Sequence, residues 1–167
     1  WNDAFRQGQQ ADIDGRHVRK IGNAAYALHQ EGMPEGLSIV RNSRFNPVPE
    51  HVHDYVEISY VYRGSAPQVV NGTQLTLAQN EVLLLDAACP HAVGELGEHD
   101  LMLSIVISRP MLRRSLEQSL SSTSAVSQFL LNALNDETDH RGHVHFRTGA
   151  SRRVRRYIQE MLCELLE

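Results

Sequence analysis

Asn71-Gly72 is the dipeptide best suited to a tight type I′ hairpin, and it sits between two β-rich arms, Val69-Val70 and Thr73-Gln74-Leu75-Thr76-Leu77. The same rhythm runs along the middle of the chain. Leu37 to Phe45 reads as a strand, and Asn46-Pro47-Val48-Pro49 as an extended loop. Gln79-Asn80-Glu81 makes a turn before the wholly apolar Val82 to Leu85, and an acidic turn from Gly94 to Asp100 precedes the apolar Leu101 to Ile107. Short strands joined by tight turns predict a mainly β protein, a sandwich or a barrel.

Composition sets the outer bounds. The 167 residues suffice for one domain with a proper core, and 41% hydrophobic and 22% charged residues are ordinary for a soluble globular chain. No apolar run approaches the roughly 18 residues needed to cross a bilayer, and the polar N-terminal region shows no signal peptide. Two cysteines, Cys89 and Cys163, are too few for a disulfide framework and suit a reducing cytoplasm. A net charge of −4 argues against a grip on a phosphate backbone by this stretch itself.

The chain divides into three parts. Residues 1–36 are polar, with one weak helical stripe at Val18, Ile21, Ala25 and Leu28, and read as an arm or a short helix; Met33-Pro34-Glu35-Gly36 is a turn. Residues 37–108 form the β-barrel. Residues 109–167 form a helical packing segment of two to three helices. There Ser108 is placed to cap a helix carrying Met111, Leu112, Leu116 and Leu120. A second stripe runs through Val126, Phe129, Leu130, Ala133 and Leu134, and a polar loop with a short extended piece at Val144-His145-Phe146 leads to a third. That last helix, from Ser151, has the cleanest stripe, Val154, Tyr157, Ile158, Met161, Leu162, Leu165 and Leu166. Arg152, Arg153, Arg155 and Arg156 form its opposite, solvated face. No residue stops it, so a longer chain is expected.

Chemistry concentrates in His51-Val52-His53-Asp54-Tyr55-Val56-Glu57, an H-x-H-x3-E pattern closed by Gly64. In one extended strand the odd positions share a face, so His51, His53 and Glu57 could meet one divalent metal ion, Zn, Ni, Fe or Mn, while Val56, Ile58, Tyr60 and Tyr62 take the other face. His91 follows the Val82 to Leu85 strand and could return as a fourth ligand. Cys89 has the same parity and could add sulfur or line the pocket. The alternative is that these side chains hydrogen-bond at a barrel mouth or line a pocket for an organic ligand. Arg44 could pair with a carboxylate or phosphate of such a ligand, and Tyr55 could wall it. His140, His143 and His145 lie in the polar loop, where solvation is the simpler reading.

From Pro49 to about Met111 the sequence resembles the N-terminal cupin domain of AraC-family bacterial transcription regulators. The matching features are H-V-H-D-Y-V-E-I-S-Y-V-Y-R-G, then V-N-G-T-Q-L-T-L-A-Q-N-E-V-L-L-L-D, a lone histidine at His91 and an apolar strand after it. The trailing helices are similar to those that pack on the barrel and make the dimer interface in that family. The resemblance implies a cupin-type double-stranded β-helix barrel (jelly roll) followed by two to three helices. It implies an effector-sensing and dimerisation domain that binds a small molecule such as a sugar through Arg44, His51, His53, Tyr55, Glu57 and His91. It further implies a homodimer, cytoplasmic, and a DNA-binding half after Glu167. The second cupin motif departs from the enzyme pattern, with Asn80-Glu81 and Ala88-Cys89-Pro90-His91 where metal-dependent members carry glycines. The first motif is complete, which keeps a small metal-dependent cupin enzyme, a dioxygenase or isomerase, as the alternative function.

Overall fold

The structure, a computed structural model, describes residues 11–13, 16–21, 25–29, 36–119, 124–135 and 141–166, the first three segments as backbone only. Two sheets face one another. The first has seven strands in the order β1-β2-β3-β5-β10-β7-β8, and the second has five in the order β12-β9-β6-β11-β4. In sequence these are β1 (Ala11–Ile13), β2 (Arg16–Ile21), β3 (Ala25–His29), β4 (Leu37–Arg41), β5 (Val48–Val52), β6 (Val56–Arg63), β7 (Ser65–Val70), β8 (Thr73–Ala78), β9 (Val82–Leu85), β10 (His91–Val93), β11 (Leu101–Ile107) and β12 (His143–Phe146). Among the described residues three helices, α1 (Arg109–Ser119), α2 (Ala125–Ala133) and α3 (Arg152–Leu166), follow or flank the last strand. All described pairings are antiparallel except β3 with β5. The arrangement is a cupin-type jelly roll.

Burial explains which strands read as alternating and which as wholly apolar. Val61, Leu77, Leu83, Leu85, Val93 and Met102 fill the space between the sheets. A second cluster lies on the outer face of the five-stranded sheet, where Val56, Leu84, Ile58 and Ile107 meet Leu112 of α1 and Phe129, Leu130 and Ala133 of α2. Strands β9 and β11 are covered on both faces and are apolar except for Ser104, as expected of doubly buried strands. In β7 the buried positions are Ala66, Gln68 and Val70, alternating with less buried neighbours, because the seven-stranded sheet has solvent on its other side.

The turns follow the sequence. Asn71 and Gly72 both have positive φ, 49° and 73°, as a type I′ hairpin requires, and β7 pairs with β8 from Val70↔Thr73 outwards. Asn80 adopts the left-handed conformation at φ 65°. Its amide joins the segment before α3 to the barrel: Tyr60 Oη donates to Asn80 Oδ1 (2.9 Å), and Thr148 Oγ1 donates to the Asn80 carbonyl (2.5 Å). Gly64 has φ 77°, and a Cβ there would collide with the carboxylate and Cα of Asp100. That carboxylate accepts from the backbone N–H groups of Ser65 (2.9 Å) and Gly97 (2.8 Å), which hold its pKa low. Gly64→Ala is expected to lower the unfolding free energy by about 2 kcal/mol in a urea titration, from left-handed strain and loss of this clamp.

Three expectations need correction. The stripe Val18, Ile21, Ala25, Leu28 is not helical; its described backbone is extended, and β2 pairs with β3 in the register His17↔His29 to Ile21↔Ala25. Three-and-four spacing over so short a run, broken at Gly22, also fits two strands. The stretch Val48-Pro49 belongs to β5 rather than a loop. The strand expected from Leu37 to Phe45 ends at Arg41, and the short extended piece at Val144 to Phe146 lies in β12, which pairs with β9 (Phe146↔Val82) and completes the five-stranded sheet. Leu120, His140 and the turn at residues 33–35 lie outside the described residues. In the helices, Met111 N donates to the capping Ser108 Oγ (3.4 Å), Ser124 caps α2 through Ser127 N (3.1 Å), and only Val126 of the α2 stripe is exposed.

Candidate functional site

The H-x-H-x3-E segment does not run as one strand. Strand β5 ends at Val52, the chain bends through His53 to Tyr55, and β6 begins at Val56 on the opposite sheet. Even so, the three side chains converge, because the bend folds the segment across the gap between the sheets. His51 stands on β5 and its neighbour His91 on β10, in direct register (His51↔His91) with rings 4.1 Å apart. Glu57 points inward from β6, since Val61 on the same face lines the core while Val56 and Ile58 turn to the helices. All four of His51, His53, Glu57 and His91 are buried.

The hydrogen bonds around the cluster are directional. Pro49 O accepts from His51 Nδ1 (2.9 Å), and Cys89 O accepts from His91 Nδ1 (2.9 Å). A carbonyl can only accept, so both rings carry their proton on Nδ1 and leave Nε2 a bare lone pair. Glu57 Oε1 accepts from Ser59 Oγ (3.1 Å), and Ser104, itself bonded by Asn42 Nδ2 (2.9 Å), also bonds the Glu57 carboxylate. Glu57 Oε2 lies 3.4 Å from His53 Nε2 and 3.9 Å from His91 Nε2. Neither contact is aligned as a hydrogen bond, and both histidine nitrogens are buried without a partner among the described residues.

The electrostatics follow from burial. Taking the imidazolium out of water, helped by the neighbouring His91, lowers the His51 pKa to about 3, and burial also lowers that of His91. For Glu57, burial alone would favour the neutral acid. The contacts with His53, His91 and Ser104 outweigh it and hold the pKa below the ordinary carboxylate range. At neutral pH the site therefore pairs an ionised carboxylate with neutral imidazoles at His51 and His91. His53, Glu57 and His91 offer three ligand atoms all within 4.8 Å of one another, a spacing one metal ion could bridge. His51 stands outside that trio.

A cavity of about 30 Å³ opens over the cluster, lined by His51, Tyr55, Glu57, His91 and Ser104 among others. Tyr55 stacks on His53 at 4.0 Å with the rings 9° from parallel. Arg44 is not brought to the site: it is exposed, and its guanidinium donates to Asp100 O (3.0 Å). Cys89 turns into the apolar core, where burial raises its thiol to about 11. His143 and His145 are also elsewhere, with His145 Nε2 3.0 Å from Glu81 Oε2. Sequence reading missed Asn42, Ser59 and Ser104. Ser59 shares the parity of Glu57, and Ser104 is the lone polar residue in the apolar run of β11, so both carried a usable signal; Asn42 reaches Ser104 only through the long-range pairing of β4 with β11.

A jelly roll with a polar cluster buried at one end of its barrel is a cupin. Within the cupins, this chain belongs to the AraC-like ligand-binding domain family, whose model matches residues 40–161. Among solved structures, ToxT from Vibrio cholerae superposes with a TM-score of 0.50 at 11% identity, covering 75% of this chain and 46% of that one. ToxT from Vibrio cholerae O395 bound to (E)-4-(8-methylnaphthalen-1-yl)but-3-enoic acid also gives 0.50, at 13% identity, covering 78% and 48%. KdgF from Halomonas sp. gives 0.40 at 15% identity, covering 60% and 86%. The chain thus spans about half the length of the ToxT chains. No curated protein sequence matches it. No described helix is long and apolar enough to cross a membrane.

Proposed function

We propose that this chain is the effector-sensing domain of an AraC-type transcription regulator, with the effector held at the His51, His53, Tyr55, Glu57, His91 end of the barrel. The observation that carries the reading is the buried, unpartnered Nε2 of His91 beside the Glu57 carboxylate, both in residues that line a cavity, in a domain of a ligand-binding family. Buried polar groups are kept unsatisfied at a cost of about 1–3 kcal/mol each, which an occupant relieves. The effector acts by binding one arrangement of the domain better than another. Val154, Ile158, Met161 and Leu162 of α3 are only half covered and Tyr157 is 66% exposed, which supports this stripe as a homodimer interface. The DNA-binding half belongs to the rest of the protein, as the double length of the ToxT chains suggests. In a thermal-shift screen of sugars and other small metabolites, a true effector at 100 times its Kd should stabilise the domain by about 2.7 kcal/mol. Loss of that shift in Glu57→Ala is the expected control; a shift unaltered by the substitution places the effector elsewhere.

A second reading is a metal-dependent cupin, favoured by the 4.8 Å trio and by the carbonyl-fixed Nδ1–H of His91, the arrangement that orients a histidine ligand. His53, Glu57 and His91 would hold the ion, which would supply Lewis-acid or redox chemistry. Elemental mass spectrometry of untagged protein, beside His53→Ala, tests this. One equivalent in the parent and none in the variant is the expected result for a metal centre; a small fraction of an equivalent in a folded parent removes it.

A further inference from the structure

We infer that the buried end of the barrel selects a cation, the primary ammonium group of an amine effector, and rejects carboxylates. The inference rests on the effector-binding reading above and adds the charge of the ligand to it.

Acceptors stand at the buried end of the cavity. The protons of His51 and His91 are committed outward to Pro49 O and Cys89 O, so each Nε2 has only a lone pair to offer. The His91 lone pair and the Glu57 carboxylate face one another at 3.9 Å, at residues 1% and 5% exposed, with the His53 ring alongside, its Nε2 3.4 Å from the same carboxylate oxygen. Two buried acceptors so placed repel unless something with N–H groups or positive charge lies against both. The hydroxyl of Ser59 is already spent on Glu57, and one N–H of the Asn42 amide on Ser104. Among the described residues no lysine or arginine lines the cavity, and Arg44 is turned to Asp100 O. A carboxylate entering here would meet a carboxylate and bare lone pairs, with no basic side chain among the described residues to compensate.

An ammonium group reverses each term. It has three N–H donors and no acceptor, and its charge-assisted bonds to a carboxylate are among the strongest available to a ligand. Size agrees. A cavity of about 30 Å³ admits a head group of one or two heavy atoms, since one water needs roughly 10–15 Å³ on this measure. The enclosed part takes a small head group, so the carbon skeleton of the effector lies outward, towards Tyr55. The acid bound by ToxT would then differ in charge from the ligand of this domain.

Isothermal titration of chelator-treated protein with n-butylamine, butyrate and glucose tests the inference. Saturable binding of butylamine, none of butyrate, and at least a tenfold loss of amine affinity in Glu57→Gln are expected. His91→Gln, which keeps a polar side chain, should weaken the amine similarly and covers the case of a Glu57 variant that does not fold. Butyrate binding as tightly as butylamine, or butylamine binding unchanged in both variants, overturns it. So does one equivalent of tightly held zinc that 10 mM butylamine does not displace, which would assign the cation to a metal. Glucose binding that depends on Glu57, with no response to butylamine, overturns the ammonium inference and leaves the effector-sensing reading intact.

Discussion

Leu85→Ala is expected to destabilise the domain by about 3–5 kcal/mol, the upper part of the range for leucine truncation in a well-packed core. Leu85 is fully buried on β9, an interior strand of the five-stranded sheet, paired with Glu57 on one side and His143 on the other. Its side chain enters the inter-sheet cluster, where the backbones of two sheets prevent collapse into the hole. Total stabilities of such domains are about 5–15 kcal/mol, so one truncation removes about a fifth or more. A urea titration with an unchanged m-value would report it. A loss below about 1 kcal/mol would show that the sheets are not closed on each other at this level.

Acid should have a comparable effect. The His51 pKa is about 3 in the folded protein, against about 6.5 in an unfolded chain. Between these values the unfolded chain binds a proton that the folded one refuses, so stability falls as pH falls. The contribution is fully present above about pH 6.5 and is lost at roughly 1.4 kcal/mol per pH unit below it, or about 3 kcal/mol by pH 4. His91, also lowered by burial, acts in the same direction. Glu57 adds to it at lower pH, because a carboxylate held ionised in the fold loses its advantage once the unfolded carboxyl protonates near 4.5. Denaturation midpoints between pH 7.5 and 4 measure the slope, and His51→Gln should make it shallower. A flat profile from pH 6.5 to 5 would mean that the imidazoles are solvated.

Local signals in the sequence carried the fold well. Asn71-Gly72 identified its hairpin because positive φ at both positions is a demand few other dipeptides meet. The apolar runs of β9 and β11 announced burial on two faces. The N-terminal stripe misled, since Gly22 breaks it and each half holds only two apolar positions, too few to fix a helical period. At the site, the H-x-H-x3-E residues do converge, although by a bend between sheets rather than by parity along a strand. Arg44 and Cys89 were candidates on proximity and parity alone. Their direction depends on Asp100, 56 residues from Arg44, and on a core assembled from six strands. Asn42 is 62 residues from Ser104, and no local pattern can pair them.

The bend at His53 to Tyr55 has a mechanical meaning. His51 and His91 belong to the seven-stranded sheet, Glu57 and Ser104 to the five-stranded one, so whatever sits between them rivets one sheet to the other. An empty rivet hole leaves that end of the sandwich held by packing alone; a filled one adds the full free energy of occupancy to the work of parting the sheets. Amide hydrogen exchange in β5 and β10 should therefore slow together with exchange in β6 when the hole is filled, although these strands lie on opposite walls.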